Sequence, residues 1–186
     1  MLWMRITMDS WPHPQPLTNR LELVAVPRPV LTALVSGRAA AALPPPLVTP
    51  YLAGEECAGL WRMRSMQLSD KPGDAPWVTR FVVVPGVSGA VGAAGFHGAP
   101  DQVGMVEVGY RIAPEHRRNG YARQALEILL SVAGSSPDVR VVRASISPEN
   151  HASRALIQQF AFAEVGEQWD DEDGLETLFE MVLRTQ

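Results

Sequence analysis

The sequence predicts an α+β protein (mixed α/β) with a largely antiparallel, twisted sheet, and three observations support this prediction. Three strand-like segments follow one another between residues 77 and 112, with links too short for crossover helices, which is typical of an antiparallel meander. An amphipathic helix pattern over residues 121–133 leads directly into a strand pattern over residues 139–146, which predicts a parallel pair joined by a right-handed crossover. The chain has 186 residues, which fits one domain.

The segments before the meander are predicted in chain order as an arm, a strand and two helices. Residues 1–17, rich in proline, are predicted as an N-terminal extended arm, and residues 18–186 as a single domain. Residues 21–26 alternate as a short strand, and residues 28–36 form a helix with proline near its start and glycine after its end. A proline-rich irregular connection comes next, followed by a helix over residues 52–68 whose apolar stripe consists of Cys57, Leu60, Trp61 and Met66.

The glycine-rich run after residue 84 admits two interpretations. It could bind phosphate, but it has neither a Lys-Ser/Thr pair nor G-x-G-x-x-G spacing, so a hairpin turn into a strand over residues 90–96 is favoured. The third strand of the meander covers residues 102–112. Beyond the crossover, Asn150 is a good N-cap for a second helix, and two closing strands flank the acidic turn "WDDEDG".

Composition excludes several classes of function. With a formal net charge of −4, the chain lacks the overall positive charge that is typical of nucleic-acid-binding proteins. No apolar run reaches the roughly 18 residues that a membrane-spanning helix needs. Cys57 is the only cysteine, so no intrachain disulfide is possible; we expect a buried, inert thiol and a cytoplasmic protein. Because the four histidines lack metal-ligand spacing, no metal is expected.

A basic turn with a glycine stands directly between the third strand and the helix, in the stretch "PEHRRNGYARQAL". A helix N-terminus offers free backbone N–H groups and a positive dipole end, Gly120 permits close approach of a ligand, and Arg117 and Arg118 add charge. These features predict a pyrophosphate cradle. The alternative is a solvated, arginine-rich helix start.

The same turn carries a resemblance to a known family. Its residues Arg117-Arg118-Asn119-Gly120-Tyr121-Ala122 match the Q/R-x-x-G-x-G/A signature of the GNAT N-acetyltransferases. "EVGYRIAPEHRRNGYARQAL" resembles the strand, turn and helix of the RimJ/RimL-like subgroup, and "SPENHASRALIQQFAFAEVG" is similar to its second cofactor segment. The resemblance implies a GNAT-like acyl-CoA N-acyltransferase fold with helices on both faces of the sheet.

The resemblance further implies where acetyl-CoA binds, as a co-substrate without a metal. The strand before the turn splays from its parallel neighbour, and pantetheine then meets the backbone of Tyr110, Arg111 and Ile112. Asn150 and Ser153 lie beside the pantetheine and the thioester. The diphosphate is held by the turn residues Arg117, Arg118, Asn119, Gly120, Tyr121 and Ala122. Gly109 fits this arrangement independently, since a glycine inside a strand often marks a bulge or a close backbone approach.

Two catalytic residues are candidates. Glu107 is the candidate base, acting directly or through water, and its alternative is a structural carboxylate paired with an arginine such as Arg111. The acidic tyrosine of many family members corresponds here to Ile157, so Ser153 is the substitute proton donor, or else a residue that caps backbone groups. The usual Leu-Gly-Phe after this helix is replaced by Phe-Ala-Phe at residues 160–162.

The function expected from the resemblance is transfer of an acetyl group from acetyl-CoA to a primary amine, on a protein N-terminus or a small molecule, by direct attack in a ternary complex. The alternative is a non-catalytic acyl-CoA-binding or sensing domain. The protein is expected to be a monomer or a homodimer. His97, Trp61, Trp77 and the acidic turn could reach the acceptor, although packing and solvation are the commoner roles; His116 and His151 are expected at the solvent edge.

Overall fold

The computed structural model describes residues 9–15, 20–37, 47–171 and 174–183. These residues form an eight-stranded sheet with the strand order β1-β2-β3-β4-β5-β6-β8-β7. The strands are β1 (Ser10–Pro12), β2 (Glu22–Ala25), β3 (Arg80–Val83), β4 (Ala90–Phe96), β5 (Met105–Ile112), β6 (Val141–Ile146), β7 (Ala163–Asp170) and β8 (Gly174–Val182). The helices are α1 (Arg28–Val35), α2 (Pro50–Ala53), α3 (Glu55–Asp70), α4 (Tyr121–Ser135) and α5 (His151–Ile157).

The strand pairing confirms the predicted meander and crossover. Strands β3, β4 and β5 are antiparallel neighbours, and the glycine-rich run is the turn between β3 and β4. Helix α4 links β5 to β6, which run parallel, as a helical crossover requires. All the other pairs in the sheet are antiparallel. The predicted mixed, largely antiparallel sheet is therefore correct.

Helices cover both faces of the sheet, as predicted. Side chains alternate along a strand, so Phe81 packs with α1 and α3 on one face, while its neighbour Val82 packs with α4 on the other. The same division holds on β4, where Ala93 packs in the core beneath α1 and α3, and Ala94 packs in the core beneath α4. The two faces will be called the α3 face and the α4 face.

Part of the segment predicted as an arm pairs with the sheet. Strand β1 is antiparallel to β2, and a buried arginine holds it there. The guanidinium of Arg80 donates to the carboxylate of Asp9 at 2.7 Å and lies 3.6 Å from the ring centre of Trp11. Just beyond β1, Nε2 of the buried His13 lies 2.7 Å from a carboxylate oxygen of Glu127 on α4. These contacts attach the edge strand to both the sheet and the crossover helix.

The helix predicted over residues 52–68 is interrupted. Gly54 has an extended conformation (φ −82°, ψ 177°), which separates α2 from α3. The apolar stripe was predicted wrongly at one position, because Met66 is 68% exposed. The buried positions of α3 are Cys57, Trp61, Arg64 and Leu68, so the stripe includes an arginine that hydrophobic periodicity could not identify.

The proline-rich connection was predicted to be irregular, but residues 38–46 lie outside the described residues. Within the part of the chain that the structure describes, no helix has the length and apolar character to cross a membrane.

We expect His13→Ala to lower the free energy of unfolding by about 1–2 kcal/mol, because it removes a buried hydrogen bond to a carboxylate that remains partly hydrated. Chemical denaturation measures this change. His151→Ala is the matched control, since His151 is exposed and should be nearly neutral. Equal stability of the His13→Ala protein and the unchanged protein would contradict attachment of this segment through His13.

Candidate active site

Strands β5 and β6 separate in the middle of the sheet. Their pairing covers only Met105–Glu107 and Val141–Arg143, although β5 continues to Ile112 and β6 to Ile146. Beyond Glu107 the two strands enclose a cleft of about 590 Å³, which extends toward α3 and α5. The sequence-predicted splay is therefore present, and it leaves one backbone edge of β5 without a neighbouring strand.

The register of β5 determines which backbone groups point into this gap. The carbonyl of Glu107 accepts from the N–H of His97, and the N–H of Ala113 donates to Val91, so odd-numbered residues bond toward β4. The even-numbered residues therefore direct their backbone groups into the gap. Tyr110 and Ile112, two of the residues whose backbone is predicted to meet pantetheine, are in this set. Arg111 is not: its backbone belongs to the β4 ladder, which corrects its predicted role.

The side chain of Arg111 points to the α3 face. Its guanidinium donates to the carbonyl of Glu56 and lies 3.7 Å from the sulfur of Cys57. Cys57 is fully buried, as expected for an inert thiol. Arg111 therefore connects β5 to the first turn of α3, and it does not pair with Glu107 as the structural alternative proposed.

The basic turn has the backbone conformation of an anion-binding nest. Arg118 (φ 65°) and Gly120 (φ 77°) are both left-handed, and a Cβ at Gly120 would contact nothing within 4 Å. Among the described residues, no acceptor bonds the backbone N–H groups of residues 118–122. Successive free N–H groups in such a turn favour a bound anion.

The side chains of the turn hold its shape. The Arg117 guanidinium donates to the carbonyl of Ile112 at 3.0 Å, and the Asn119 amide donates to the carbonyls of His116 and Arg117. Tyr121 and Ala122 are half-buried and begin α4. The predicted turn residues therefore lie together at the end of the gap, with Arg117 and Asn119 bonded inside the turn itself.

Asn150 and Ser153 line the cleft from the side of α5. The Asn150 side chain caps the helix by accepting from the N–H of Ser153 at 3.1 Å. Asn150 is thus the capping residue, and the Ser153 hydroxyl is left beside the buried hydroxyl of Tyr110, which has no hydrogen bond of normal geometry within the described residues. Burial raises the pKa of Tyr110, and the nearby Ser153 only partly offsets this effect.

Ile157 is completely buried in the core of the α4 face and does not line the cleft. The helix ends there, and residues 158–161 form a turn before β7. The departure at the usual tyrosine position is therefore a packing residue, and the hydroxyl-bearing residues that line the cleft at this end are Ser153 and Tyr110, the latter with its hydroxyl buried.

Glu107 is close to the cleft but does not form its wall. Its side chain is 21% exposed, and its Oε1 lies 3.3 Å from Nδ1 of His97, whose side chain is 48% exposed and lines the cleft. Burial alone would raise the pKa of Glu107. Hydrogen bonds with His97 and Ser145, together with the charges of His97 and Arg143, outweigh burial and hold the pKa below its ordinary value. Glu107 is therefore a charged group near neutral pH.

The ring of His97 explains Gly109. A Cβ at Gly109 would meet Nε2 of His97 at 2.6 Å, so only glycine leaves room for the ring. The register of β4 and β5 is continuous at this position, so the bulge that the sequence suggested is absent. The close approach that Gly109 predicts is made by the His97 side chain of the same molecule.

The other candidate residues, two tryptophans and two histidines, lie in the core or at the solvent edge. Trp61 is buried and donates from Nε1 to the carbonyl of Leu52, and Trp77 packs edge-on against Phe96. Neither tryptophan lines the cleft. His151 is exposed and His116 is half-buried, in agreement with the expected solvent edge. Residues 172 and 173 of the acidic turn lie outside the described residues. In the described part of the chain, no group of three His, Cys, Asp or Glu side chains could hold a metal ion.

Comparison with known protein families identifies this arrangement. Residues 42–163 match the model of the family described as "Acetyltransferase (GNAT) domain", and this range covers well over half of the chain. The chain is a GNAT protein. The matched range contains the basic turn, the splayed strand and most of the predicted second cofactor segment, so the family resemblance predicted from the sequence is confirmed.

Individual relatives of this GNAT chain are distant. It is 35% identical over 72 residues to the uncharacterized N-acetyltransferase YjdG of Bacillus subtilis, a match that covers 39% of this chain and 43% of the relative. The match to this curated relative thus spans less than half of the relative's length. Among solved structures, RimL, a ribosomal L7/L12 α-N-protein acetyltransferase in complex with coenzyme A, has a TM-score of 0.64 at 17% identity, covering 96% of this chain and 100% of its own.

A second solved structure, the microcin C7 self-immunity acetyltransferase MccE in complex with acetyl-CoA and AMP, has a TM-score of 0.61 at 11% identity and covers 88% of this chain and 93% of its own. At these identities the likeness establishes the GNAT fold. RimL is one of these fold neighbours, and the RimJ/RimL-like subgroup remains a prediction from the sequence.

Sequence reasoning missed one contribution in this GNAT cleft and underrated another. The Tyr110 hydroxyl was overlooked because only its backbone was assigned a role, although strand alternation places its side chain on the α4 face. His97 was considered only as a group that could reach the acceptor. Its pairing with Glu107 depends on the register of β4 and β5, which no local pattern encodes.

Alanine substitutions at Gly109 and Gly95 should have different effects, because a Cβ at Gly109 would meet a side chain and a Cβ at Gly95 would meet backbone atoms. We expect Gly109→Ala to displace the His97 ring with a stability loss below about 1 kcal/mol, because a half-exposed side chain can rotate away. Gly95→Ala should cost about 1–3 kcal/mol, because its Cβ would meet the backbone of Thr79 at 2.7 Å. Denaturation and imidazole NMR measure the two effects. An unmoved His97 signal in Gly109→Ala would contradict the contact.

Proposed function

We propose that this GNAT protein is an acetyl-CoA-dependent N-acetyltransferase that acetylates a primary amine by direct attack in a ternary complex. The observation that carries this proposal is the continuity between the unpaired edge of β5 and the open, left-handed turn at the start of α4. One surface thereby offers backbone hydrogen-bonding groups for an extended amide chain and N–H groups for a diphosphate.

The residues present fit the pantetheine and diphosphate of acetyl-CoA. The gap-facing backbone groups of Tyr110 and of other even-numbered residues of β5 would bond pantetheine amides as a pseudo-strand. The N–H groups around Gly120, with the charges of Arg117 and Arg118, would hold the diphosphate, and Asn150 and Ser153 would line the thioester end. When bound, acetyl-CoA supplies an activated acetyl group, so no covalent enzyme intermediate is required.

Proton donation to the leaving thiolate is assigned to Ser153 on the α4 face. Its hydroxyl lines the cleft, and the buried Tyr110 hydroxyl beside it can replace a proton that Ser153 gives up. This pair supplies the acid function without a tyrosine at position 157. The tetrahedral oxyanion would accept from backbone N–H groups at the splayed strand.

The acceptor is a cationic amine, either a protein N-terminal amine or a small-molecule amine. Two acidic residues, Glu56 on α3 and Glu176 on β8, line the cleft, and their carboxylates would attract an ammonium group. The apolar side chains of Leu60 and Met63 lie next to Glu56 in the cleft wall and provide a surface for the rest of the acceptor.

Calorimetric titration with acetyl-CoA, coenzyme A and ATP, followed by mass spectrometry of peptides and small amines incubated with acetyl-CoA, tests the proposal. Micromolar binding of both CoA species, weak ATP binding and a mass gain of one acetyl group support it. Failure to bind CoA removes it. Binding without turnover on any amine would favour the non-catalytic acyl-CoA-binding alternative.

We expect Gly120→Glu to weaken acetyl-CoA binding by about 100-fold, because the new carboxylate stands where the diphosphate would lie. Gly86→Glu is the matched control: Gly86 (φ 81°) has the same left-handed conformation and open space, but it lies in the β3–β4 turn. Both variants carry similar backbone strain. Equal affinity of the two variants for acetyl-CoA would contradict the role of the turn.

A further inference from the structure

We propose that Nε2 of His97 accepts the proton of the attacking amine and that Glu107 is the positioning residue that orients the His97 ring. The inference rests on the proposed acetyl transfer, and it changes the expected role of Glu107 from base to positioning residue. The reason for this assignment is that His97 lines the cleft, whereas Glu107 does not.

The contact between the two side chains favours one tautomer of the neutral ring. The Oε1 of Glu107 lies 3.3 Å from Nδ1 of His97, and because a charged carboxylate can only accept, a proton on Nδ1 is the arrangement that this contact stabilises. The lone pair of the neutral ring is then on Nε2. The same arrangement of carboxylate, Nδ1–H and a free Nε2 prepares an imidazole for proton acceptance in hydrolases.

The free nitrogen lies beside the backbone where the thioester is expected. Nε2 is the atom that a Cβ at Gly109 would meet, and Gly109 is the first odd-numbered residue of β5 beyond the point where β5 and β6 separate. His97, Gly109 and Tyr110 all line one cleft. A group in the cleft can therefore reach the ring, whereas the Glu107 carboxylate lies behind it.

The backbone of His97 is held from two sides. Its carbonyl accepts from Arg64 at 3.0 Å and from Gln67 at 2.7 Å, and its N–H donates to the carbonyl of Glu107. The buried Arg64 is itself fixed by a bond to the hydroxyl of Thr79 at 2.9 Å. The only polar residue in the buried stripe of α3 therefore holds the backbone from which the imidazole projects.

The charges around Glu107 favour its role as a fixed acceptor. Its carboxylate lies among donors, which keep it ionised and make it a weak acceptor for a proton from an amine. The titratable and charged side chains around the pair are Arg143 on β6, Arg64 on α3, Asp74 beyond α3, and Glu56, Tyr110, Arg111 and Glu176 on the cleft wall.

The amine nitrogen forms a bond to the thioester carbonyl carbon, and the bond from that carbon to sulfur breaks. An ammonium nitrogen loses two protons on becoming an amide. His97 accepts these two protons in turn at Nε2 and releases each to solvent, while the Ser153 side protonates the thiolate and regains a proton from solvent. The net products are the amide, the thiol and one proton in solution.

Imidazole ¹H–¹⁵N NMR on the full chain tests the orientation without any ligand. We expect the neutral His97 ring to be protonated at Nδ1. In Glu107→Leu, which leaves no oxygen to accept that proton, the ring should shift toward protonation at Nε2, while the exposed His151 should not change. An Nε2–H tautomer in the unchanged protein, or no response in Glu107→Leu, would overturn the positioning role.

Steady-state kinetics with acetyl-CoA and a peptide bearing a free α-amine test the proton acceptor. We expect His97→Gln to lower kcat by about 100-fold or more and to leave acetyl-CoA binding within about twofold by calorimetry. Asp70→Asn is the control and should retain full kcat, because Asp70 is exposed at the C-terminal end of α3 and does not line the cleft. If the unchanged protein acetylates no amine, the proposed function fails; if it does and His97→Gln retains its kcat, only this inference fails.

Discussion

The separation of β5 from β6 is the constraint on which the rest of the site depends. A parallel pair inside a sheet normally satisfies both edges of each strand, yet here the pairing ends at Glu107 and Arg143. The freed backbone of β5 is tolerable only where water or a ligand can bond it. The left-handed turn at Gly120 lies at the end of this free edge, because the same strand leads through it into α4.

The alternation of side chains along β5 divides the acid and base chemistry between the two faces of the sheet. Tyr110 projects to the α4 face, where Ser153 and the first turn of α5 meet it. Glu107 and Gly109 belong to the α3 face, where His97 lies over the glycine and beside the carboxylate. A thioester held at the edge between them would have a proton donor on one side and a proton acceptor on the other. The strand period of two is sufficient to produce this separation.

The sequence predicts most of the fold because its elements carry strong local signals. The meander, α4 and the N-cap at Asn150 all follow from periodicity, turn residues and capping chemistry, and the structure has each of them. The errors occur where tertiary contacts override pattern. Met66 is apolar but exposed, and Arg64 is charged but buried, because its guanidinium finds Thr79, Gln67 and the carbonyl of His97. The edge strand β1 escaped prediction for the same reason, since Arg80 and His13 hold it through contacts distant in sequence.

In the candidate site, too, local sequence patterns predict where residues lie but not which side chains contact each other. Motif spacing predicts the turn, Asn150 and Ser153 as site residues, and the structure places each of them at a helix start whose backbone geometry is local. It cannot locate the partner of Glu107, since whether Arg111 or His97 meets that carboxylate depends on how β4 and β5 align. Arg111 shares the α3 face with Glu107 but is drawn to the carbonyl of Glu56. His97 follows the last residue of β4 and lies directly across from Glu107, so its side chain is the one from that strand that contacts the carboxylate. A one-residue change of register would move His97 to the opposite face, so the cross-strand alignment determines the candidate chemistry as much as the residue types do.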